Sequence, residues 1–102
     1  MRQFDAYQNP SPQARRLAPY LIVLSSHYLR DLSEAIVAPA VNDVTRAVDG
    51  LEIPIEIAGE TLTLLVSELF SLTAATLRRR VGNLAEHEDA IRRALDRLFT
   101  GF

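Results

Sequence analysis

The sequence contains no cysteine and no tryptophan, and all 11 of its basic residues are arginines. Without cysteine the chain can form neither a disulfide scaffold nor a thiolate metal site, and it has no thiol nucleophile. A chain without cysteine suits the reducing cytoplasm, and we expect the protein to be cytoplasmic.

Long hydrophobic runs are missing as well. No apolar run approaches the ~20 residues that a membrane helix needs. The first residues, Met1 to Asp5, lack the apolar core of a signal peptide. We therefore expect a mature N-terminus and no association with a membrane.

The chain also lacks a large excess of charge of either sign. Its formal net charge is −2, and acidic and basic residues occur together in both halves. No half or tail is basic enough to bind duplex nucleic acid by bulk electrostatic attraction. The 102 residues are 48% hydrophobic and 24% charged, which is typical of a folded chain. We expect a single domain over residues 1–102.

Short apolar stretches separated by turn-forming residues predict that most of this domain is β-structure. Pro39 is expected to end one strand and Pro54 to place another at a sheet edge, because proline cannot donate a ladder hydrogen bond. A hairpin is expected at Ala58-Gly59, although alanine disfavours a positive φ. The predicted strands are residues 2–8, 20–24, 36–38, 51–57 and 60–66.

The last third of the sequence predicts a helix. Residues 67–82 fit a helix by propensity and a strand by the pattern at residues 70–73, and periodicity does not decide between them. Asn83 and Glu86 then have the spacing of a capping box, and Gly101 is placed to end the helix. An apolar stripe between these ends is expected to pack on about five strands arranged as a small barrel or sandwich.

No group of side chains indicates catalysis or metal binding. Ser25, His27 and Asp31 are close in sequence, but no nucleophile elbow surrounds the serine, so a surface cluster is expected. His27 and His87 have no partner at metal-ligand spacing. We expect no catalytic residue, no metal and no other cofactor.

Two other features suit binding to a partner. The run Arg78-Arg79-Arg80 is suited to phosphates or to an acidic partner, and it is equally a pattern of solvated surface. Phe99 and Phe102 stand among the last four residues, where chains are normally exposed. They are suited to packing on the barrel, to closing a dimer interface or to forming an apolar tip that binds a partner.

Five segments, in the same order, resemble the CcdB family of toxins. The opening Gln3–Tyr7 is similar to the family's Gln-Phe-x-Val-Tyr, and the ending Phe99–Phe102 takes the place of its Phe-Trp-Gly-Ile. Between them, Ser26–Leu29, Val37–Pro39 and Ile55–Glu60 resemble the family's Ser-Asp-Ile-Ile, Val-Ile-Pro and Val-His-Ile-Gly-Asp-Glu. The resemblance covers essentially the whole chain.

The resemblance implies a mainly β fold: an SH3-like small barrel of antiparallel strands, a small accessory sheet and a long C-terminal helix, with a strand over residues 69–77. It implies a homodimer that is not an enzyme. Members of the family bind the DNA gyrase A subunit and trap the gyrase–DNA cleavage complex, with no sequence-specific nucleic-acid binding of their own. An antitoxin, CcdA, neutralises the toxin through a disordered tail that folds on binding, and such pairs serve plasmid maintenance.

By position, the resemblance also assigns the gyrase contacts. Thr100 departs from the family, because it has no ring to stack on a gyrase arginine as the family's tryptophan does, a contact worth ~0.5–2 kcal/mol. Asp96 replaces a neutral asparagine and is suited to pairing with an arginine or to repelling DNA. The expected gyrase-binding residues are Tyr28, Leu29, Glu88, Asp96, Phe99, Thr100, Gly101 and Phe102.

Arginines are expected to attract the acidic tail of the antitoxin, namely Arg15, Arg16, Arg78, Arg79 and Arg80. Two alternatives to gyrase poisoning stay open. The departure at Thr100 allows a dimeric homologue that binds antitoxin but is weak or inactive on gyrase. The MazF and Kid ribonuclease toxins share the barrel, so the fold alone also permits RNA cleavage.

Overall fold

The computed structural model describes residues 1–26, 33–42 and 50–101. Within these ranges the chain forms seven strands and one α-helix, joined by turns and short 3₁₀ segments. The strands are β1 (Asp5–Gln8), β2 (Tyr20–Val23), β3 (Glu34–Val41), β4 (Glu52–Ile57), β5 (Glu60–Leu65), β6 (Phe70–Thr73) and β7 (Arg80–Asn83), and the helix α1 spans Glu88–Thr100.

All strand pairs are antiparallel, and the sheet runs in the order β4-β5-β3-β2-β1-β7. The first half of β3 pairs with β6 and its last two residues pair with β5, so two arms leave the same side of one strand. The sheet curls around α1 into an open half-barrel, and the hairpin β4–β5 and the strand β6 form its two arms. The predicted mainly β barrel with a C-terminal helix is confirmed, although it has two more strands than the residue pattern indicated.

The strand β3 continues through Pro39, so the prediction that this proline ends a strand is wrong. The Leu24 N–H donates to the Ile36 carbonyl at 2.8 Å, which places the backbone groups of every second residue of β3 toward β2. The Pro39 nitrogen therefore faces the opposite side. There it falls between Val37, the last residue paired with β6, and Ala40, the first paired with β5, so no ladder hydrogen bond is lost.

The hairpin β4–β5 matches its sequence prediction. Pro54 lies in β4, which pairs only with β5 and is therefore an edge strand. The two-residue turn has positive φ at both Ala58 (+52°) and Gly59 (+81°), as a type I′ hairpin turn requires. Alanine thus occupies a left-handed position, at some cost in conformational energy.

The ambiguous region 67–82 contains two strands and no α-helix. The strand implied by the resemblance is present as β6, but it ends at Thr73 and a 3₁₀ turn, Ala74–Thr76, follows it. Pairing of Leu72 with Ala35 on β3 outweighs the helix propensity of this region, since propensity is a weak prior beside tertiary contacts. The strand β7 then pairs with β1 at the far end of the sheet.

The helix α1 begins later than predicted, and the expected capping box is wrong. Asn83 ends β7, and its Oδ1 accepts a hydrogen bond from the Ala85 N–H at 2.8 Å, ahead of a separate 3₁₀ turn. The other end is confirmed: Gly101 has φ +80°, and its N–H donates to the Arg97 carbonyl at 3.0 Å. Within the described residues, no helix has the length and apolar character to cross a bilayer.

The core has two layers, one on each face of the sheet. Ile91 and Ala94 of α1 are buried against the inner face, where Ile22 also points. Leu21 and Val23 belong to a separate cluster on the outer face. The strand β2 is therefore covered on both faces, as its unbroken apolar run predicts.

Candidate functional site

The C-terminal end of α1 presents an apolar side chain to solvent. Phe99 is 70% exposed, although a phenylalanine gains free energy by burial. The Thr100 hydroxyl donates to the Asp96 carbonyl oxygen at 2.5 Å, so this side chain folds back on the helix. Gly101, in the left-handed conformation, turns the chain away from the helix axis directly after this pair. We call Phe99, Thr100 and Gly101 the C-terminal tip.

Two further predicted contact residues, Glu88 and Asp96, lie along the same exposed side of α1, with Arg92 between them. Glu88, Arg92 and Asp96 follow one another at intervals of one helical turn, and Phe99 continues this row. The Arg92 Nε donates to the Glu88 carboxylate at 2.8 Å, as the spacing of four residues predicts. Glu88 and Phe99 are about 17 Å apart along the axis, at 1.5 Å per residue. We call Glu88, Arg92, Asp96 and Phe99 the helix stripe.

Not every predicted gyrase contact can be placed. Tyr28, Leu29 and Phe102 lie outside the described residues. The other five predicted contacts, Glu88, Asp96, Phe99, Thr100 and Gly101, are exposed or partly exposed. They lie along one side of α1 and at its C-terminal end.

A cavity of about 640 Å³ lies beside the C-terminal tip, between α1 and the start of β4. Its floor contains the apolar residues Ile53 and Ala94, and its rim contains Arg93, Arg97 and Asp96. The Arg97 guanidinium occupies the space where a side chain at position 50 would begin, and residue 50 is a glycine with φ +83°. Asp96 therefore stands among arginines, which offset the negative charge that it introduces at this place.

The predicted antitoxin-binding arginines divide into separate places. Arg15, Arg78 and Arg79 line one groove of about 400 Å³, together with Gln8, Pro10 and Thr76. The Arg15 Nε donates to the Asn9 carbonyl at 2.8 Å, and the Gln8 N–H donates to the Arg79 carbonyl at 2.8 Å, so hydrogen bonds fix both walls. We call this the arginine groove.

Arg16 and Arg80 do not line the arginine groove. The Arg16 carbonyl accepts a hydrogen bond from the Asn42 side chain at 3.3 Å, near the end of β3. Arg80 is the first residue of β7, and its side chain lines a different cleft from that of Arg79. It reaches Asp5 instead.

Asp5 is a buried charged residue that the sequence analysis did not identify. It is 1% exposed, and its carboxylate accepts hydrogen bonds from the Arg2 N–H (2.8 Å), the Arg80 Nε (3.0 Å) and the Asn83 Nδ2 (2.9 Å). Burial by itself raises the pKa of Asp5, but the bonds from Asn83, Arg2 and Arg80 outweigh it and hold the pKa below its usual value. The sequence contains a sign of this role, because Asp5 lies between the apolar residues Phe4 and Ala6 in a predicted strand. A carboxylate that is buried in such a strand requires hydrogen-bond partners.

Of the candidate cluster Ser25, His27 and Asp31, Ser25 lies within the described residues. The Ser25 Oγ accepts a hydrogen bond from the Ile36 N–H at 3.2 Å, while His27 and Asp31 lie outside the described residues. In the part of the chain that the structure describes, no three histidines or carboxylates gather as a metal site would require. The His87 Nε2 lies 3.9 Å from the Glu86 carboxylate.

The sequence profile of the CcdB protein matches residues 3–101. No curated protein matches the chain with significant sequence similarity.

Several solved toxin structures share the fold. One is the crystal structure of an Mtb toxin (22% identical, TM-score 0.70, covering 78% of this chain and 91% of that one). Another is an endoribonuclease in complex with its cognate antitoxin from a mycobacterial species (11% identical, TM-score 0.78, covering 96% and 93%). A third is the Mycobacterium tuberculosis toxin MazF-mt6 (20% identical, TM-score 0.67, covering 82% and 93%).

Proposed function

Because this chain belongs to the CcdB family, whose members are the toxins of toxin–antitoxin systems, we propose that it binds the DNA gyrase A subunit and traps the gyrase–DNA cleavage complex. The observation that carries the proposal is the exposure of Phe99 at the end of the helix stripe. An aromatic side chain that is 70% exposed on a fixed helix can bury its ring in a partner without first leaving the core.

The geometry of the C-terminal tip supports the same proposal. Gly101 adds no side chain beyond Thr100, so a partner can approach the chain end closely. Phe99 supplies the ring that Thr100 lacks, one residue before the position of the family's tryptophan. The charged pair Glu88–Arg92, farther along the helix stripe, is suited to orienting a partner and contributes little binding energy by itself.

We propose further that the toxin is a homodimer. Large apolar residues remain exposed outside the C-terminal tip, among them Phe70 on β6 and Ile36 on β3, at 43% and 37%. Exposed apolar side chains of this size favour association with a second copy. Sedimentation at micromolar concentration is expected to give twice 11.4 kDa, and a monomer there would contradict the proposal.

The arginine groove is the proposed docking place for an acidic antitoxin segment. Arg15, Arg78 and Arg79 bring three positive charges to one side of the molecule, and none of the groove residues is acidic. Complementary charge speeds the encounter of two partners. One of the structurally similar proteins is seen with its cognate antitoxin, which supports a toxin–antitoxin pairing for this fold.

A second candidate function is endoribonuclease activity. Two observations favour it: the shared fold with proteins described as an endoribonuclease and a MazF toxin, and a groove whose arginines are suited to an RNA backbone. The described residues that line this groove include no histidine or carboxylate to act as a general acid or base. We therefore rank RNA cleavage below gyrase binding. A third candidate, motivated by Thr100, is a dimer that binds antitoxin and has weak or no activity on gyrase.

One set of assays distinguishes the three candidates. The purified protein is added to gyrase with supercoiled DNA, and both supercoiling and the cleavage complex are measured, while a parallel reaction contains single-stranded RNA. Accumulation of cleaved DNA with intact RNA supports the gyrase poison. Cleaved RNA with normal supercoiling supports the ribonuclease. Neither activity, with binding of the cognate antitoxin retained, supports the inactive homologue.

A further inference from the structure

A second group of arginines lines a cleft that shares Glu88 and Arg92 with the helix stripe and is separate from the arginine groove. The cleft measures about 570 Å³ and lies where the N-terminal segment, β7 and the start of α1 meet. The residues that line it include Arg2, Phe4, Arg80, Asn83, Glu88 and Arg92. We call it the N-terminal cleft.

The charges in the N-terminal cleft do not cancel. Arg80 is paired with the buried Asp5 at 3.0 Å, and Arg92 is paired with Glu88 at 2.8 Å. The guanidinium of Arg2 has neither an ion pair nor a hydrogen bond among the residues that the structure describes. Three positive charges therefore meet two negative ones, and the cleft can take up a singly charged anion without leaving unpaired charge.

Hydrogen-bond donors are also left over. A guanidinium has five N–H donors, and the bonds that Arg80 and Arg92 make to Asp5 and Glu88 use the Nε of each. Both side chains are about half exposed, at 52% and 54%, so their remaining N–H groups are open to a ligand.

The backbone is strained where it forms the floor of this cleft. Phe4 has φ +72°, a left-handed conformation that glycine normally adopts. It is the third residue of a turn that a hydrogen bond closes, from the Asp5 N–H to the Arg2 carbonyl at 3.1 Å. Its ring is nevertheless buried (3% exposed), and the Arg92 guanidinium carbon lies 5.8 Å from the ring centroid. The strained turn brings Arg2 back beside Asp5, and strain maintained in this way points to a functional constraint.

We propose that the N-terminal cleft binds a phosphate group, carried either by a nucleotide or by a nucleic-acid strand. Guanidinium groups from three separate segments suit a tetrahedral group with several oxygens, whereas the two oxygens of a planar carboxylate match the paired N–H groups of a single guanidinium. The volume exceeds that of phosphate alone and falls in the range of small-molecule sites, which leaves room for the attached sugar and base. This proposal does not depend on gyrase binding.

The test is direct titration of the purified protein with three probes: inorganic phosphate, adenosine 5′-monophosphate and a single-stranded 12-nucleotide DNA. Saturable binding of at least one probe is expected, with amide NMR shifts confined to residues 2–5, 80–85 and 88–92. Arg2→Gln and Arg92→Gln are each expected to weaken binding by about 10-fold, since each removes a charged hydrogen-bond donor. Tighter binding of the oligonucleotide identifies a strand as the source of the phosphate, and tighter binding of the monophosphate identifies a nucleotide.

Arg93→Gln is the matched control, because it removes the same charge from the same helix but lies outside the cleft. Arg2 and Arg92 are exposed, so their variants are expected to fold, and urea unfolding checks this. The proposal is overturned if no probe binds, if Arg93→Gln weakens binding as much as Arg2→Gln, or if an acidic peptide binds the cleft and the phosphate probes do not.

Discussion

The Nε of Arg80 lies 3.0 Å from the Oδ1 of Asp5, and this pair joins β1 to β7, the first and last strands along the chain. The carboxylate is almost wholly buried, whereas the arginine side chain remains 52% exposed. Because Asp5 also accepts bonds from Arg2 and Asn83, one acidic residue holds the N-terminal segment, β1 and β7 together.

Removing this carboxylate is expected to destabilise the fold. Asp5→Ala leaves donors on Arg2, Arg80 and Asn83 without their shared acceptor, and we expect the free energy of unfolding to fall by about 2–3 kcal/mol. Glu88→Ala, which breaks the exposed pair with Arg92, is the control and should cost less than about 1 kcal/mol. Urea unfolding measures both, and equal costs would contradict the role given to Asp5.

The same carboxylate makes stability depend on pH. The folded pKa of Asp5 is lower than its unfolded value of about 3.9, so its contribution is complete above that pH and is lost as the pH falls through the folded pKa. We expect the difference in unfolding free energy between wild type and Asp5→Asn to shrink as the pH falls from about 5 toward 2. Other carboxylates are common to both proteins and cancel in the difference. A difference that stays constant over this range would show that Asp5 is not the group responsible.

The hairpin turn offers a stabilising substitution. Ala58 has φ +52°, where asparagine is better tolerated, and Asn-Gly is the preferred type I′ pair. Ala58→Asn is expected to raise the free energy of unfolding by about 0.5–1 kcal/mol. Gly59→Ala is the opposite control: its added Cβ meets open space, so only the strain of φ +81° lowers stability, by about 1–2 kcal/mol. If neither variant shifts the urea midpoint, the turn is not strained.

The C-terminal tip should affect gyrase and leave stability unchanged. Phe99→Ala removes a side chain that is mostly in solvent, so the free energy of unfolding should change by less than about 0.5 kcal/mol. Gyrase affinity should fall about 10- to 100-fold if the ring is a binding hot spot. Leu17→Ala, which truncates an exposed apolar side chain outside the helix stripe, is the control. Unchanged cleavage-complex formation by Phe99→Ala would contradict the assignment.

Two further variants test the tip from opposite directions. Deleting Gly101 and Phe102 is expected to abolish gyrase binding while the barrel stays folded. Thr100→Trp restores the ring found in the family and should strengthen gyrase inhibition by at most ~100-fold, if the gyrase arginine is present. Both are measured by cleavage-complex formation beside urea unfolding, and full poisoning by the deletion variant would exclude the tip as the site.

The arginine groove is tested by charge reversal. Arg78→Glu combined with Arg79→Glu should slow association with an acidic antitoxin about 10-fold or more and flatten the dependence of the on-rate on salt. Arg80 is left in place because it holds Asp5, and a double reversal of Arg93 and Arg97, outside the groove, serves as the control. Stopped-flow measurements with the cognate antitoxin give the on-rates. Equal rates for wild type and the groove variant would make these arginines ordinary solvated surface.

The sequence by itself determined the local features of this protein. The alternation in residues 52–57 and 60–65, the edge position of Pro54 and the helix end at Gly101 all follow from side-chain period and backbone chemistry, which act over a few residues. The family resemblance implied a strand over residues 69–77, where the sequence pattern left helix and strand open, and β6 occupies residues 70–73 of that range.

Only the tertiary structure decided which distant residues meet. The strand β3 continues through Pro39 because its pairing partner changes from β6 to β5 at that point. Asn83 does not cap the helix, and its side chain donates a hydrogen bond to Asp5, 78 positions earlier in the chain. The run Arg78–Arg80 looks like one basic patch in sequence, yet Arg78 and Arg79 line one groove, whereas Arg80 lines a different cleft and pairs with Asp5. Burial and pairing partners depend on how the whole sheet closes, and no short window of sequence contains that information.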